Sequence, residues 1–462
     1  MKDNVKKIIS LIAAASICST FAFAAPKEVI RGDADINGEL SIVDVVMLRS
    51  HIVGDTLLSA ENKKAADVNA DGQIDVTDVT MLRSHIVGNS QITDKVTVDD
   101  ENIMSLQTFP VTEEYVKTQG RTYYYDDSMW LIQSASAVEF EFTGTYGSVT
   151  VHGDQNCFDS WAEKSLVRLG IFVNGEMVVD ELVDNYVKEY TFLNTDEPID
   201  ATVKIVKLSD PAESVVGINS IKAASKDGIR PLPEKDLKIE FIGDSITCGV
   251  GVDDAVTGIY QTASVNSTKT YAYKVAQAFD ADYSFFAYSG YGVISGYTSS
   301  GKKNTRQTIP PIYETYGTSM GKLAETLDPS GLSWDFSAWQ PDLVVINLGT
   351  NDYSYAKTEE TKAEFIEGYA EFLKQVRKNN PDAPILCTLG LGGTGLYLRI
   401  VKAVEQYTAE TGDTSVYCLK LSTIQEGDGT GVQGHPLEVS HERAAGEIIS
   451  ELENILGWEA KY

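Results

Sequence analysis

Leu237-Lys238-Ile239-Glu240-Phe241-Ile242-Gly243-Asp244-Ser245 is the stretch on which the fold turns. Apolar and β-branched residues run straight into a Gly-Asp-Ser turn, the pattern of a buried strand in a parallel sheet. A second run, Asp342-Leu343-Val344-Val345-Ile346-Asn347-Leu348, leads into Gly349-Thr350-Asn351-Asp352. Ligands of open α/β sheets bind beyond the carboxyl ends of the strands, so this serine and this asparagine are expected where chemistry is done. Ala383–Leu389 and Ser415–Leu421 read as further strands. Thr361–Asn380 reads as a helix with Phe365, Ile366, Tyr369, Phe372, Leu373 and Val376 on one side. The alternation predicts an α/β region over 235–462, a parallel sheet flanked by helices in three layers.

Upstream the texture changes. Residues 101–228 read as all-β, a sandwich or jelly roll. Alternation is visible in Ala137–Phe142 and Ser148–Val151, and Val173-Asn174-Gly175-Glu176 is a hairpin turn between Leu169–Phe172 and Met177–Val179. Tyr123-Tyr124-Tyr125 and Trp130 offer either a sugar-stacking surface or core and inter-domain packing, and packing is the favoured expectation. Ile229-Arg230-Pro231-Leu232-Pro233 is a stiff connector. Residues 91–100, polar and acidic, read as a linker.

The chain has 462 residues, a formal net charge of -29 and 43% hydrophobic residues, so it has material for several globular cores. The acidity argues against a nucleic-acid or anionic-membrane partner, both of which need a basic footprint. Lys2, Lys6 and Lys7, the apolar run Ile8–Cys18 and Ala22-Phe23-Ala24 form a secretory signal peptide over 1–24, which predicts a secreted, extracellular protein. Of the five cysteines, Cys157, Cys248, Cys387 and Cys418 would remain, too few and too far apart for a disulfide framework.

Met47-Leu48-Arg49-Ser50-His51-Ile52-Val53-Gly54 recurs letter for letter as Met81-Leu82-Arg83-Ser84-His85-Ile86-Val87-Gly88. Each copy follows an acidic loop with the 12-residue calcium spacing. The ligands of the first loop are Asp33, Asp35, Asn37, the carbonyl of Glu39, Ser41 and Asp44. Those of the second are Asp67, Asn69, Asp71, the carbonyl of Gln73, Asp75 and Asp78. Calcium takes 6–8 hard oxygen ligands, which suits this donor set, whereas the imidazoles of His51 and His85 suit it poorly. Val45, Leu48 and Ile52, then Val79, Leu82 and Ile86, share helix faces. Residues 31–90 resemble a type I dockerin, with two loop-helix repeats, Asp at the last loop position and no helix before the first loop. The resemblance implies a small all-α domain with two structural calcium ions, docking onto a cohesin module of a cellulosome scaffold.

A serine, an amide donor and a late histidine are the minimum parts for acyl transfer. Gly243-Asp244-Ser245, Ser289-Gly290, Gly349-Thr350-Asn351-Asp352 and His435-Pro436 look, in that order, like the four blocks of SGNH (GDSL) hydrolases. With an all-β region ahead and a dockerin attached, the chain is similar to carbohydrate esterase family 2. The resemblance implies Ser245 as nucleophile, His435 as base, and an oxyanion hole from the N–H of Ser245 and Gly290 and the amide of Asn351. His441 is the competing base, and the block order favours His435. Asp244 and Asp352 are expected to shape turns and caps. Many family members carry Asp three residues before the histidine, where this chain has Val432. Either a backbone carbonyl orients His435, giving a dyad, or an acid such as Asp428 substitutes, and the dyad is the favoured expectation. The implied activity is removal of O-acetyl groups from acetylated xylan or mannan, with no catalytic metal. A lipase or thioesterase and a non-catalytic glycan-binding protein are the alternatives.

Overall fold

The structure, a computed structural model, describes residues 26–99, 103–158, 162–254 and 258–461. The expected signal peptide over 1–24 lies outside the described residues. Two compact units emerge, Ala60–Ile103 with the segment up to Ile52, and Met104–Tyr462 with Val53–Ser59. No helix among the described residues is long and apolar enough to cross a membrane.

The first unit holds the helices Ile42–Val53, Ala60–Ala66 and Val76–Ile86. Leu48 and Leu82, at equivalent places in the repeat, are fully buried, whereas Ile52 and Ile86 are exposed. The unit is not purely helical. Lys95–Val98, inside the expected linker, pairs antiparallel with Lys27–Ile30. The cause is a short alternation hidden in polar sequence: Val98 and Val29 drop into a small core with Ile36 and Ala65.

In the second unit, the all-β region forms one continuous antiparallel sheet of ten strands. Ala137–His152 lies between Val187–Lys207 and Val216–Ser225. Bulges at Thr191/Leu193 and Asn194/Ile199 bend the long strand, and the sheet curls around Phe140, Val149, Val151, Ile171, Val203, Ile205 and Ile221. The hairpin forms between Arg168–Val173 and Glu176–Leu182. Asn174 and Gly175 take φ of 51° and 85°, as a turn with two left-handed residues requires. Trp130 is fully buried and donates its indole N–H to the Tyr125 carbonyl at 2.9 Å, while Tyr123 packs edge-on against Tyr316. Those two aromatics serve packing, and Tyr124 is exposed.

Beyond the connector, five parallel strands run in the order Ala281–Tyr288, Leu237–Asp244, Leu343–Asn347, Ile385–Leu391, Val416–Thr423. The order is 2-1-3-4-5, the flavodoxin-like winding. The helix expected over 361–380 spans Glu359–Asn379 and buries Phe365, Tyr369, Phe372, Leu373 and Val376, with Ile366 half-buried. Thr358 caps it by accepting the Thr361 N–H at 3.2 Å.

A buried cation joins the curled sheet to the parallel one. Arg121 is completely buried and its Nη2 lies 3.1 Å from Glu240, which sits on the strand that ends at Asp244. Its other terminal nitrogen donates to the carbonyls of Tyr313 and Thr315, and the guanidinium lies 4.2 Å from the centroid of the Phe286 ring. The Tyr313 hydroxyl completes the cluster, donating to Glu240 at 2.6 Å. Removing one partner of such a pair leaves an uncompensated buried charge. Arg121→Ala should therefore lose about 3–5 kcal/mol of stability in denaturant unfolding, and Arg121→Met with Glu240→Leu should recover part of it.

Candidate active site

Ser245 is presented by local backbone chemistry. Asp244 ends its strand and caps the short helix Ser245–Cys248, accepting the Ile246 N–H at 3.0 Å. Position 243 has no room for a side chain, since a Cβ there would meet Thr247 Oγ1 at 2.0 Å. Ser245 thus sits at the first helical position, where its N–H has no intrahelical acceptor.

His435 comes from the far end of the chain. It follows a tight turn in which Gln433 and Gly434 both take left-handed backbone, φ 56° and 79°. Its Nε2 lies 2.7 Å from Ser245 Oγ, and its Nδ1 lies 2.9 Å from the Val432 carbonyl. A carbonyl only accepts, so Nδ1 carries the proton and Nε2 is free to accept from the serine hydroxyl. Burial lowers the proton affinity of His435 below that of an ordinary histidine, opposed by the Val432 carbonyl and by Asp210. The imidazole therefore enters the reaction neutral.

The competitors are placed elsewhere. His441 is fully buried, stacks parallel on Tyr271 and accepts its N–H at 3.2 Å, and burial brings its pKa down to about 3. Asp428 is gripped by both terminal nitrogens of Arg443 at 2.7 Å and accepts from Ser440 Oγ and the Gln425 N–H. The Arg443 guanidinium holds its carboxyl far below the usual range. The group that orients His435 is thus a main-chain carbonyl.

Two loops converge on the serine, because the strands they follow flank its own strand in the sheet. Gly290, at φ 80°, follows Ala281–Tyr288, and Asn351 follows Leu343–Asn347. The Asn351 amide donates to the Tyr291 carbonyl at 2.8 Å and lies 3.2 Å from Asp244 Oδ2. Asp352 is fully buried and accepts the N–H groups of Val293, Ile294 and Ser295, fixing the loop after Gly290. Burial pushes Asp352 up to about 6 and Asp244 up to about 7. Both aspartates act on loop backbone.

Two cavities meet at Ser245. One, about 350 Å³, is lined by Thr350, Tyr353, Lys357 and Gly392. The other, about 460 Å³, is lined by Val250, Tyr260, Ser289 and Gly290. Tyr297, Asn351, Gln433 and His435 border both. Tyr260, Tyr297, Tyr353 and Gln433 escape a motif-based reading, because they flank or lie outside the four short motifs and carry no periodic signal.

The acidic loops form a separate centre. Asp33 accepts the N–H groups of Asn37 and Gly38, and Asp44 accepts those of Ala34 and Ser41. The second loop repeats this pattern: Asp67 accepts from Asp71 and Gly72, and Asp78 from Val68 and Asp75. Oxygens of Asp33, Asp35 and Asp44 lie within 4.8 Å of one another, and burial raises the proton affinity of all three. Crowded, half-desolvated carboxylates need a hard cation, so the donor set fits calcium. Asp75 also caps the following helix, accepting the Thr77 N–H at 2.6 Å.

Residues 31–87 match the dockerin type I domain, and residues 241–415 match the GDSL-like lipase/acylhydrolase family. The chain thus carries one region similar to type I dockerin domains and a second similar to GDSL-like lipases and acylhydrolases. It is 32% identical over 331 residues to the cellulase/esterase CelE of Acetivibrio thermocellus, covering 70% of this chain and 37% of that protein. It is 24% identical over 370 residues to an acetylxylan esterase / glucomannan deacetylase of Cellvibrio japonicus, covering 77% and 92%. Among solved structures, a family two carbohydrate esterase from Clostridium thermocellum in complex with cellohexaose is similar, with a TM-score of 0.62 and 27% identity over 74% of this chain and 99% of that one.

The geometry fixes how the serine should react. A fluorophosphonate probe should label Ser245 at neutral pH, and His435→Ala should slow labelling about a thousandfold or more, while Asp428→Ala stays within about threefold of wild type. Peptide mapping of the labelled protein identifies the site.

Proposed function

We propose that the chain is a secreted carbohydrate esterase that removes O-acetyl groups from plant cell-wall polysaccharides, acetylated xylan or glucomannan, by a serine–histidine acyl-enzyme route. The observation that carries this reading is the 2.7 Å contact between Ser245 Oγ and a His435 Nε2 whose acceptor form is fixed by the Val432 carbonyl. The substrate class is supported by the names of the similar proteins, an acetylxylan esterase / glucomannan deacetylase and an esterase with bound cellohexaose. The exposed Tyr297 beside the serine gives a sugar ring something to lie against, whereas Lys357 lies 3.4 Å over the Tyr353 ring.

In this mechanism Ser245 Oγ attacks the acetyl carbonyl while His435 Nε2 takes its proton. The oxyanion is met by the N–H groups of Ser245 and Gly290, and by the Asn351 amide once it turns from the Asp244 carboxylate, the longer of its two contacts at 3.2 Å. Collapse breaks the bond to the sugar oxygen, which leaves with the proton from His435. Water, deprotonated by the same imidazole, then attacks the acetyl-serine, and acetate departs as Ser245 regains its proton. Loss of one oxyanion donor typically costs ~100–1000-fold in rate.

The dockerin region would hold two calcium ions, one in each loop, and present the duplicated helices to a cohesin module. The ions would fix the loops and take no part in ester cleavage.

Acetate release from acetylated xylan and glucomannan, compared with hydrolysis of long-chain p-nitrophenyl esters, tests the reading. Release should be abolished in Ser245→Ala. Preference for long acyl chains would favour a lipase or thioesterase, and glycan binding without turnover a non-catalytic protein. The acidic limb of kcat/KM should fall below pH 6.5, because the essential neutral imidazole persists to lower pH when burial depresses its protonation. Removing calcium with EDTA should abolish cohesin binding in a pull-down and leave p-nitrophenyl acetate turnover within about twofold, since no ligand of either loop is in the active site.

A further inference from the structure

The loop joining Val187–Lys207 to Val216–Ser225 belongs to the curled sheet, yet it is buried, which is unusual for a connection. Leu208, Ser209, Asp210, Ser214 and Val215 have no exposed surface. The loop inserts into the α/β region: Leu208 O accepts the Ser267 N–H at 3.1 Å, and Ala212 O accepts the Met320 N–H at 2.8 Å. At its centre the Asp210 carboxylate accepts the Ala212 N–H at 2.8 Å through Oδ1 and the Ser289 N–H at 3.1 Å through Oδ2. Ser289 immediately precedes Gly290.

A fully buried carboxylate held by amide dipoles is costly unless a positive charge faces it. Lys207, the buried cation next to it, donates to the main-chain carbonyls of Ser209 and Asp210, at 2.8 and 3.1 Å, and the Asp210 charge opposes the burial that brings it down to about 8. The other titratable groups that feel the Asp210 charge are Glu213 on the same loop, Cys248 behind the nucleophile, Tyr260 and Tyr291 on flanking loops, and His435 itself. The remaining charge-bearing neighbour of His435 is His441, which burial keeps neutral.

We infer that Asp210 is a positioning residue for ester hydrolysis, anchoring through the Ser289 N–H the Ser289–Gly290 turn that presents an oxyanion donor. The turn is thus held from the curled sheet, and Ser289 and Gly290 line the same cavity as His435. The inference rests on the acyl-transfer reading of the site.

The test uses the full chain as wild type, Asp210→Asn, Asp210→Glu and Ser245→Ala. Asp210→Asn removes the charge and one of the two acceptors, since an amide nitrogen cannot take the Ala212 or the Ser289 N–H. Its kcat on p-nitrophenyl acetate should fall about 10- to 100-fold with KM within about twofold. If Asp210→Asn fails to fold, Asp210→Glu carries the test: the displaced carboxylate should lower kcat with KM within about twofold. A folded variant at Asp210 with wild-type kcat overturns the inference. So does a loss that appears only as a raised KM with kcat unchanged. A wild-type chain without esterase turnover defeats the reading of the site instead.

Discussion

The guanidinium of Arg121 is the constraint on which the catalytic half depends. It belongs to the curled sheet, but its acceptors belong to the α/β region: Glu240 on the strand Leu237–Asp244 and the carbonyls of Tyr313 and Thr315. With no exposed surface, it is compensated only when both regions are assembled. Lys117 and Gln119 repeat the arrangement on a neighbouring strand, both reaching Asp282, while the Gln119 amide oxygen accepts the Tyr283 N–H. The two regions accordingly fold as one unit. Cutting the chain at the proline-rich connector would expose unmatched charge on both faces.

This union explains why the site can be built from scattered pieces. The parallel winding puts the loops after three adjacent strands at one end of the sheet, which gathers Ser245, Gly290 and Asn351 without special contacts. His435 arrives on a separate loop and is held by the turn at Gln433 and Gly434. The loop carrying Asp210 arrives from the other sheet and locks the backbone beside Gly290.

Much of this was legible in the sequence because it is written in local pattern. Apolar runs before Ser245 and Asn351 announced buried strands, Asn174-Gly175 announced a left-handed turn, and the duplicated acidic loops announced a cation site. The strand Lys95–Val98 was hidden because four residues of alternation in polar surroundings look like a linker until a partner, Lys27–Ile30, is known. Tyr297 and Asp210 were hidden for another reason: their place depends on contacts far along the chain, which no spacing rule encodes. The choice between Val432 and Asp428 needed coordinates as well. Only the structure shows that Arg443 and Ser440 already occupy the Asp428 carboxylate.

The tether of His435 to a peptide oxygen has an evolutionary side. A carboxylate partner is specified by a codon and can be lost by a single base change, whereas the oxygen at position 432 is present whatever residue is encoded there. What inheritance must protect instead is the bend that aims it, and that bend rests on two left-handed positions, Gln433 and Gly434. Genetic fragility thus moves from an acidic side chain to the conformational tolerance of a two-residue hinge, where proline or a β-branched residue would do the damage.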